Sequence, residues 1–179
     1  MSTSERPRVV VGLDDSPGAG RVLAAAERER RYRSAALEVV GVWRLPTSYG
    51  WVLSPNLVED LKAHTRKAML EAVHDALGDP MPVGVSVSVE EGHPAAVLCR
   101  VAVGADLLVV GSHGHTALPG TRLGSVSRRC AHSAPCPLLI VPVTTAADEE
   151  RAAEYAHPME HANATTYPVL ADQAAQTGR

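Results

Sequence analysis

Residues 106–127 read DLLVVGSHGHTALPGTRLGSVS, and the way this stretch is punctuated decides the fold. Leu107 to Val110 is an apolar run with no polar interruption, which reads as a strand buried on both faces. Glycine then recurs at Gly111, Gly114, Gly120 and Gly124, Ser125 follows the last one directly, and Val126 to Ala131 suits a helical turn or two. The layout is strand, glycine-punctuated loop, helix start. Glycine tolerates positive φ and lets backbone approach a ligand closely. The first amides of a helix have no internal partner. Together these make a pocket of backbone donors suited to an anion, most often phosphate. An ordinary glycine-rich connection would have the same composition, so the rest of the chain has to decide.

Outward from this stretch, apolar runs and amphipathic segments alternate. Arg8 to Leu13 is an apolar strand, and Asp14-Asp15-Ser16-Pro17 after it reads as a helix start, with Asp or Ser capping and Pro17 at the first helical position. Ala19, Val22, Leu23 and Ala26 give that helix its apolar face, and Arg28 to Arg33 its charged one. Leu37 to Trp43 is a second strand. A loop from Arg44 to Ser54 leads to Ser54-Pro55, a second cap-then-proline signal, and to a long amphipathic helix ending at Gly78. Val83 to Glu90 alternates apolar and polar, as a strand with one wet face or at an edge does. Gly92-His93-Pro94 opens a short helix that runs to Gly104, and Cys136 to Val143 is a fifth, very apolar strand after the glycine loop. Four strand-helix units of about 30 residues and a final strand predict an α/β fold. It is a single doubly wound domain, a five-stranded parallel sheet with helices on both faces. Ligands of such sheets bind beyond the carboxyl ends of the strands, where the strand order reverses. If the first and fourth strands are neighbours, Asp14 and Gly111 line that crevice together.

Composition narrows the function. With 45% hydrophobic residues, 21% charged, 3% aromatic and no Phe, the core is Val, Leu and Ala, and stacked aromatics for nucleic acid are lacking. The formal charge of −3 is uneven: residues 144–179 hold six acids against Arg151 and Arg179, which leaves the remainder near +1. That is a poor footprint for nucleic-acid binding. Residues 144–179 also lose periodicity and read as a disordered acidic tail behind a nucleotide-binding domain spanning 1–143. Residues 1–7 have no apolar signal core, no run approaches a membrane span, and the three cysteines make no disulfide framework, so the expected location is the cytoplasm.

Three segments together resemble a known family. Gly111-x-x-Gly114, nine residues, then Gly124-Ser125 is similar to the nucleotide-binding signature of universal stress proteins. So are the opening Val11-Gly12-Leu13-Asp14-Asp15-Ser16 and the close, Ser133 to Pro142, and the likeness covers residues 8 to 143 in order. The resemblance implies a Rossmann-like sheet of strand order 3-2-1-4-5, a homodimer, and ATP held between the end of strand 1 and the glycine loop. Carried over residue by residue, it sets Asp14 against the adenosine and the backbone of Val42 against adenine. Gly111, His113 and Gly114 fall along the ribose and first phosphates, and Gly124, Ser125 and Val126 on the phosphate tail. Arg122 is the cation nearest the loop, and Mg²⁺ is expected to arrive on the ATP phosphates. Asp14 as a helix cap and Val42 as sheet core are the rival readings. The segment after residue 143 and the Pro119-Gly120 pair inside the loop depart from the family pattern.

Other constellations are weaker. The loop lacks the Gly-Lys-Ser/Thr of a P-loop, and Val110 to Gly114 lacks the first glycine of a nucleophile elbow. His113 with His115, and Cys130, His132 and Cys136, have metal-ligand chemistry without the usual tight cysteine pairs. The leading function is therefore an ATP-binding regulatory protein of the stress response, with no residue assigned a catalytic role. The alternatives are a slow ATPase or phosphotransferase, and a partner-binding module without ligand. Leu138 to Val143, apolar and at a sheet edge, is the expected homodimer contact.

Overall fold

The computed structural model describes residues 6–44, 55–114 and 123–143. Five strands and four helices alternate: β1 (Arg8–Leu13), α1 (Ala19–Arg33), β2 (Ala36–Trp43), α2 (Pro55–Leu77), β3 (Val85–Glu91), α3 (Pro94–Val101), β4 (Leu107–Gly111), α4 (Ser125–Ser133) and β5 (Leu138–Val141). The sheet is parallel throughout and ordered β3-β2-β1-β4-β5. This is the doubly wound α/β fold with order 3-2-1-4-5.

The pleat sorts β1 into two cores. Val9 and Val11 join Leu37, Val39, Leu107 and Val109 under Leu23 of α1 and Met69 and Val73 of α2. Val10 joins Val40, Leu108 and Val110 on the opposite face, beneath Leu98 of α3 and Cys130 of α4. Successive side chains of a strand point to opposite faces, so a strand covered on both sides needs the uninterrupted apolar run that the sequence shows. Each such valine or leucine contributes about 1.5–3 kcal/mol by leaving water. Two glycines let the helices close in: a Cβ at Gly41 would strike Met69, and one at Gly12 would strike Leu98. At the amino ends of the strands Arg8 bonds Glu38 at 2.8 Å and the Val103 carbonyl at 2.7 Å, while Asp106 accepts from the Arg8 amide at 2.8 Å.

Two local expectations change. Helix α1 starts at Ala19 behind an N-cap Gly18 with no side-chain cap, two residues later than Pro17. The reason is that Asp14 turns its Oδ1 to the Ser16 amide and hydroxyl and so closes a tight turn instead of capping a helix. β5 is confined to Leu138–Val141, shorter than Cys136 to Val143, with prolines at both flanks. The charged face of α1 stands at Arg28 to Arg33 as expected, and beside it Glu27 is buried, 5% exposed, its carboxylate accepting from Arg30 at 2.6 and 2.8 Å and from Arg31 at 2.7 Å. Residues 144–179, the expected tail, lie outside the described residues.

Candidate functional site

The strand order reverses between β1 and β4, and the crevice lies at their carboxyl ends. From β1 come Gly12, Leu13 and Asp14; from β4 and its continuation, Val110 to Gly114; from α4, Gly124 to Ser127. They enclose a cavity of about 210 Å³ whose inner wall is apolar, formed by Val40, Val42, Pro94 and Leu98. β2 pairs with β1 only as far as Gly41, opposite Leu13, while Val42 and Trp43 pair with β3 alone. The Val42 backbone therefore runs past the end of β1 along the cavity rim.

Asp14 meets the glycine loop directly. Its Oδ1 is occupied by Ser16, and its Oδ2 lies so close to Gly114 that a Cβ there would collide with it. Gly111 is similarly crowded, with the His113 carbonyl and Val22 each 3.1 Å from where a Cβ would stand. None of Gly111, Gly114 or Gly124 has positive φ. Close approach, and not a left-handed backbone, is what calls for glycine at Gly111 and Gly114. Gly124 differs again: it is the N-cap of α4 in extended conformation, and a Cβ would meet nothing nearer than 3.4 Å.

Ser112, which sequence reading weighed only as part of an incomplete nucleophile elbow, joins the two ends of the loop. Its carbonyl accepts from the Gly124 amide at 2.7 Å and from Ser127 Oγ at 2.9 Å. Its own amide donates to Val141 at 2.8 Å, and its hydroxyl oxygen accepts from the Val143 amide at 2.9 Å. The buried hydroxyl right after an apolar strand was the only hint the sequence carried. With its amide engaged, Gly124 shapes the cradle instead of donating to a ligand. The amides of Ser125, Val126 and Ser127, ahead of the first helical bond from Arg128 to Gly124, find no acceptor among the described residues. They form the donor set at the N-terminus of α4, and Ser125 is exposed there.

His113 is buried, with Nδ1 3.2 Å from Ser112 Oγ, on the wall where the loop leaves β4. Arg122 and His115 lie outside the described residues. Among the described residues no group of three or more His, Cys, Asp or Glu side chains is placed to share a metal. Cys130 sits in the core, where burial, with Cys99 adding to it, pushes its thiol up to about 12, away from the metal-binding thiolate.

Fold and cleft define a doubly wound α/β protein whose binding crevice is walled by the β1 turn and the β4–α4 loop. The model of the universal stress protein family matches residues 5–142, and the chain belongs to that family. It is 33% identical over 134 residues to a universal stress protein of Mycolicibacterium smegmatis, covering 74% of this chain and 45% of that one. The chain spans less than half the length of the first curated relatives it matches. Two solved structures share the fold. UspA from Lactobacillus plantarum is 19% identical with a TM-score of 0.61, over 78% of this chain and 99% of that one. A universal stress protein in complex with cAMP is 24% identical with a TM-score of 0.52, over 79% of this chain and 100% of that one. Among the described residues no helix is long and apolar enough to cross a membrane.

Proposed function

We propose that the chain is an ATP-binding regulatory protein of the stress response, acting in the cytoplasm as a homodimer. One observation carries the reading: Asp14 Oδ2, the Gly114 backbone and the amides at the start of α4, which have no acceptor among the described residues, converge on one cavity. Adenine fits the apolar wall of Val40, Val42, Pro94 and Leu98, with the Val42 backbone at its edge. Asp14 accepts from the ribose hydroxyls or the exocyclic amine. Gly111, His113 and Gly114 follow the ribose and first phosphates, and Ser125 and Val126 hold the phosphate tail, with Gly124 as their cap. Arg122 supplies charge from the loop, and Mg²⁺ comes with the phosphates. That a fold neighbour was solved with cAMP makes adenine nucleotides the first ligands to try.

Binding without turnover is favoured by the lining itself. Among the described residues Asp14 and His113 are the titratable ones that line it, and one oxygen of Asp14 is committed to Ser16. Besides cations at the γ-phosphate, a phosphoryl-transfer site needs a group that orients the nucleophile. The nucleotide state then alters partner contacts. Calorimetric titration with ATP and Mg²⁺ tests this. Wild type is expected to give saturable heat with a 1:1 endpoint, and Gly114→Val none. No heat from wild type, or undiminished binding in Gly114→Val, overturns the reading.

A further inference from the structure

Beside the cavity, between α3 and α4, lies a larger cleft of about 680 Å³ that shares Pro94, Ser125 and Val126 with it. Its walls are cationic. Arg44 and His93 form one side, hydrogen-bonded to each other at 3.2 Å, and Arg128, Arg129 and His132 of α4 line the other. No carboxylate lines it among the described residues. Arg44, Arg128 and Arg129 have no ion-pair partner there, although Arg8, Arg30, Arg31, Arg33 and Arg100 each have a carboxylate.

The placement follows from the helix. Ser125, Arg128, Arg129 and His132 are spaced three, four and seven apart, so they share one face of α4 and continue from the free amides away from the cavity. The line from Ser125 to His132 covers about 10 Å of helix axis. Uncompensated like charges crowded on one short helix repel each other, and an anion between them removes that cost. Arginine's planar fork matches phosphate oxygens in pairs, which a single ammonium cannot do. The cavity alone is smaller than the roughly 300–1000 Å³ of most ligand pockets. It accommodates the nucleoside end of a ligand whose charged end has to continue elsewhere.

We infer that this basic cleft takes the outer phosphates of the bound nucleotide and makes the protein select nucleoside triphosphates over monophosphates. The inference rests on the nucleotide reading above and adds Arg44, Arg128 and Arg129 as the residues that set phosphate-chain specificity.

The test is a set of titrations of the full chain with AMP, with ATP, and with inorganic tripolyphosphate as competitor. Wild type, the double variant Arg128→Ala/Arg129→Ala and the single variant Arg44→Gln are compared. All three sites are exposed, so the folded state should persist, and a circular-dichroism melt checks it. Wild type is expected to bind ATP about 100-fold more tightly than AMP, as two charge-assisted contacts would give. The double variant should lose most of that ratio while its AMP affinity stays within about twofold, a change below the size of one such contact. Arg44→Gln should fall between, and tripolyphosphate should displace ATP from wild type but not from the double variant. Equal affinity for AMP and ATP in wild type, or a ratio that survives in both variants, overturns this inference and leaves the nucleotide reading standing. If neither AMP nor ATP binds, the nucleotide reading fails and this inference fails with it.

Discussion

Gly114 and Gly124 stand at the two ends of one loop and tolerate a side chain very differently. At Gly114 a methyl group would run into Asp14 Oδ2, and that carboxylate cannot swing freely because Oδ1 is held by Ser16. At Gly124 the extended backbone with φ −69° and ψ 173° suits any residue, and the nearest atom to a Cβ is 3.4 Å away. Gly114→Ala should therefore keep the fold but turn Asp14 out of place. ATP affinity should drop about tenfold or more, the size of one charge-assisted hydrogen bond. Gly124→Ala should leave stability within about 1 kcal/mol, the lost N-cap preference offset by a stiffer unfolded chain. Its effect on affinity should be smaller than that of Gly114→Ala, because the Gly124 amide is already bound to Ser112. Thermal melts and calorimetry on the two variants check both statements, and the reverse ranking would contradict them. The positions of these glycines were legible in the sequence; the reason for them was not. Tolerance of positive φ and close approach to a ligand were the reasons read from the sequence, but at Gly114 crowding against Asp14, about a hundred residues away in the chain, is what excludes a side chain. No local pattern encodes such a contact. The structural role of Ser112 was missed for the same reason, since its partners Gly124, Ser127, Val141 and Val143 are gathered only by the finished fold.

Among the elements, the inner strands and β5 were legible because burial in a parallel sheet leaves apolar runs, β3 because its serines and valines alternate at the edge, and the helices because they show a 3.6-residue stripe. Helix ends were legible where they use their own residues: Pro55 opens α2, and Gly78, at φ +89°, follows its last residue. The start of α1 was misread because its would-be cap is drawn into the Asp14–Ser16 turn. Helix α1 also hides a charge that the periodicity could not assign. Hydrogen bonds from Arg30 and then Arg31 hold the Glu27 carboxyl below its ordinary 4.5, against the opposing effect of burial. A carboxyl whose pKa is lower in the folded than in the unfolded state stabilises the protein above the unfolded value and loses that contribution as pH falls. Stability should thus be level around neutrality and decline below about 4.5, from this group among other carboxylates. Glu27→Gln should melt at a lower temperature than wild type at pH 7, with the gap closing as the pH is taken toward the acid end of that window. Melting curves across this range decide it. A gap that stays constant with pH would mean that Glu27 acts through packing alone.

For the whole molecule, the strand order leaves two edges, β3 and β5, and they are built differently. β3 alternates Ser86 and Ser88 with Val85, Val87 and Val89. β5 has four apolar residues, Leu138 to Val141, with Leu138, Leu139 and Ile140 only half-buried in the single chain. An apolar edge that is neither charged nor interrupted within its length exposes a row of backbone donors and acceptors to another copy. A two-fold axis beside β5 would pair the strand with itself and cover those side chains. Light scattering should then give twice 18.9 kDa for wild type. Leu139→Lys should bring the mass down to that of a single chain. The lysine stem can lie along the sheet while its charge stays in water, so far-ultraviolet circular dichroism should be retained. A wild type that runs as a single chain, or a Leu139→Lys variant that remains double while folded, would rule β5 out as the contact. Since Ser112 bonds both Val141 and Val143, a dimer through β5 would also tie the partner's edge to the residues after β4 that line the cavity. ATP binding and dimerisation should therefore be linked, each tightening the other by the same factor. Repeating the ATP titration on Leu139→Lys measures that factor.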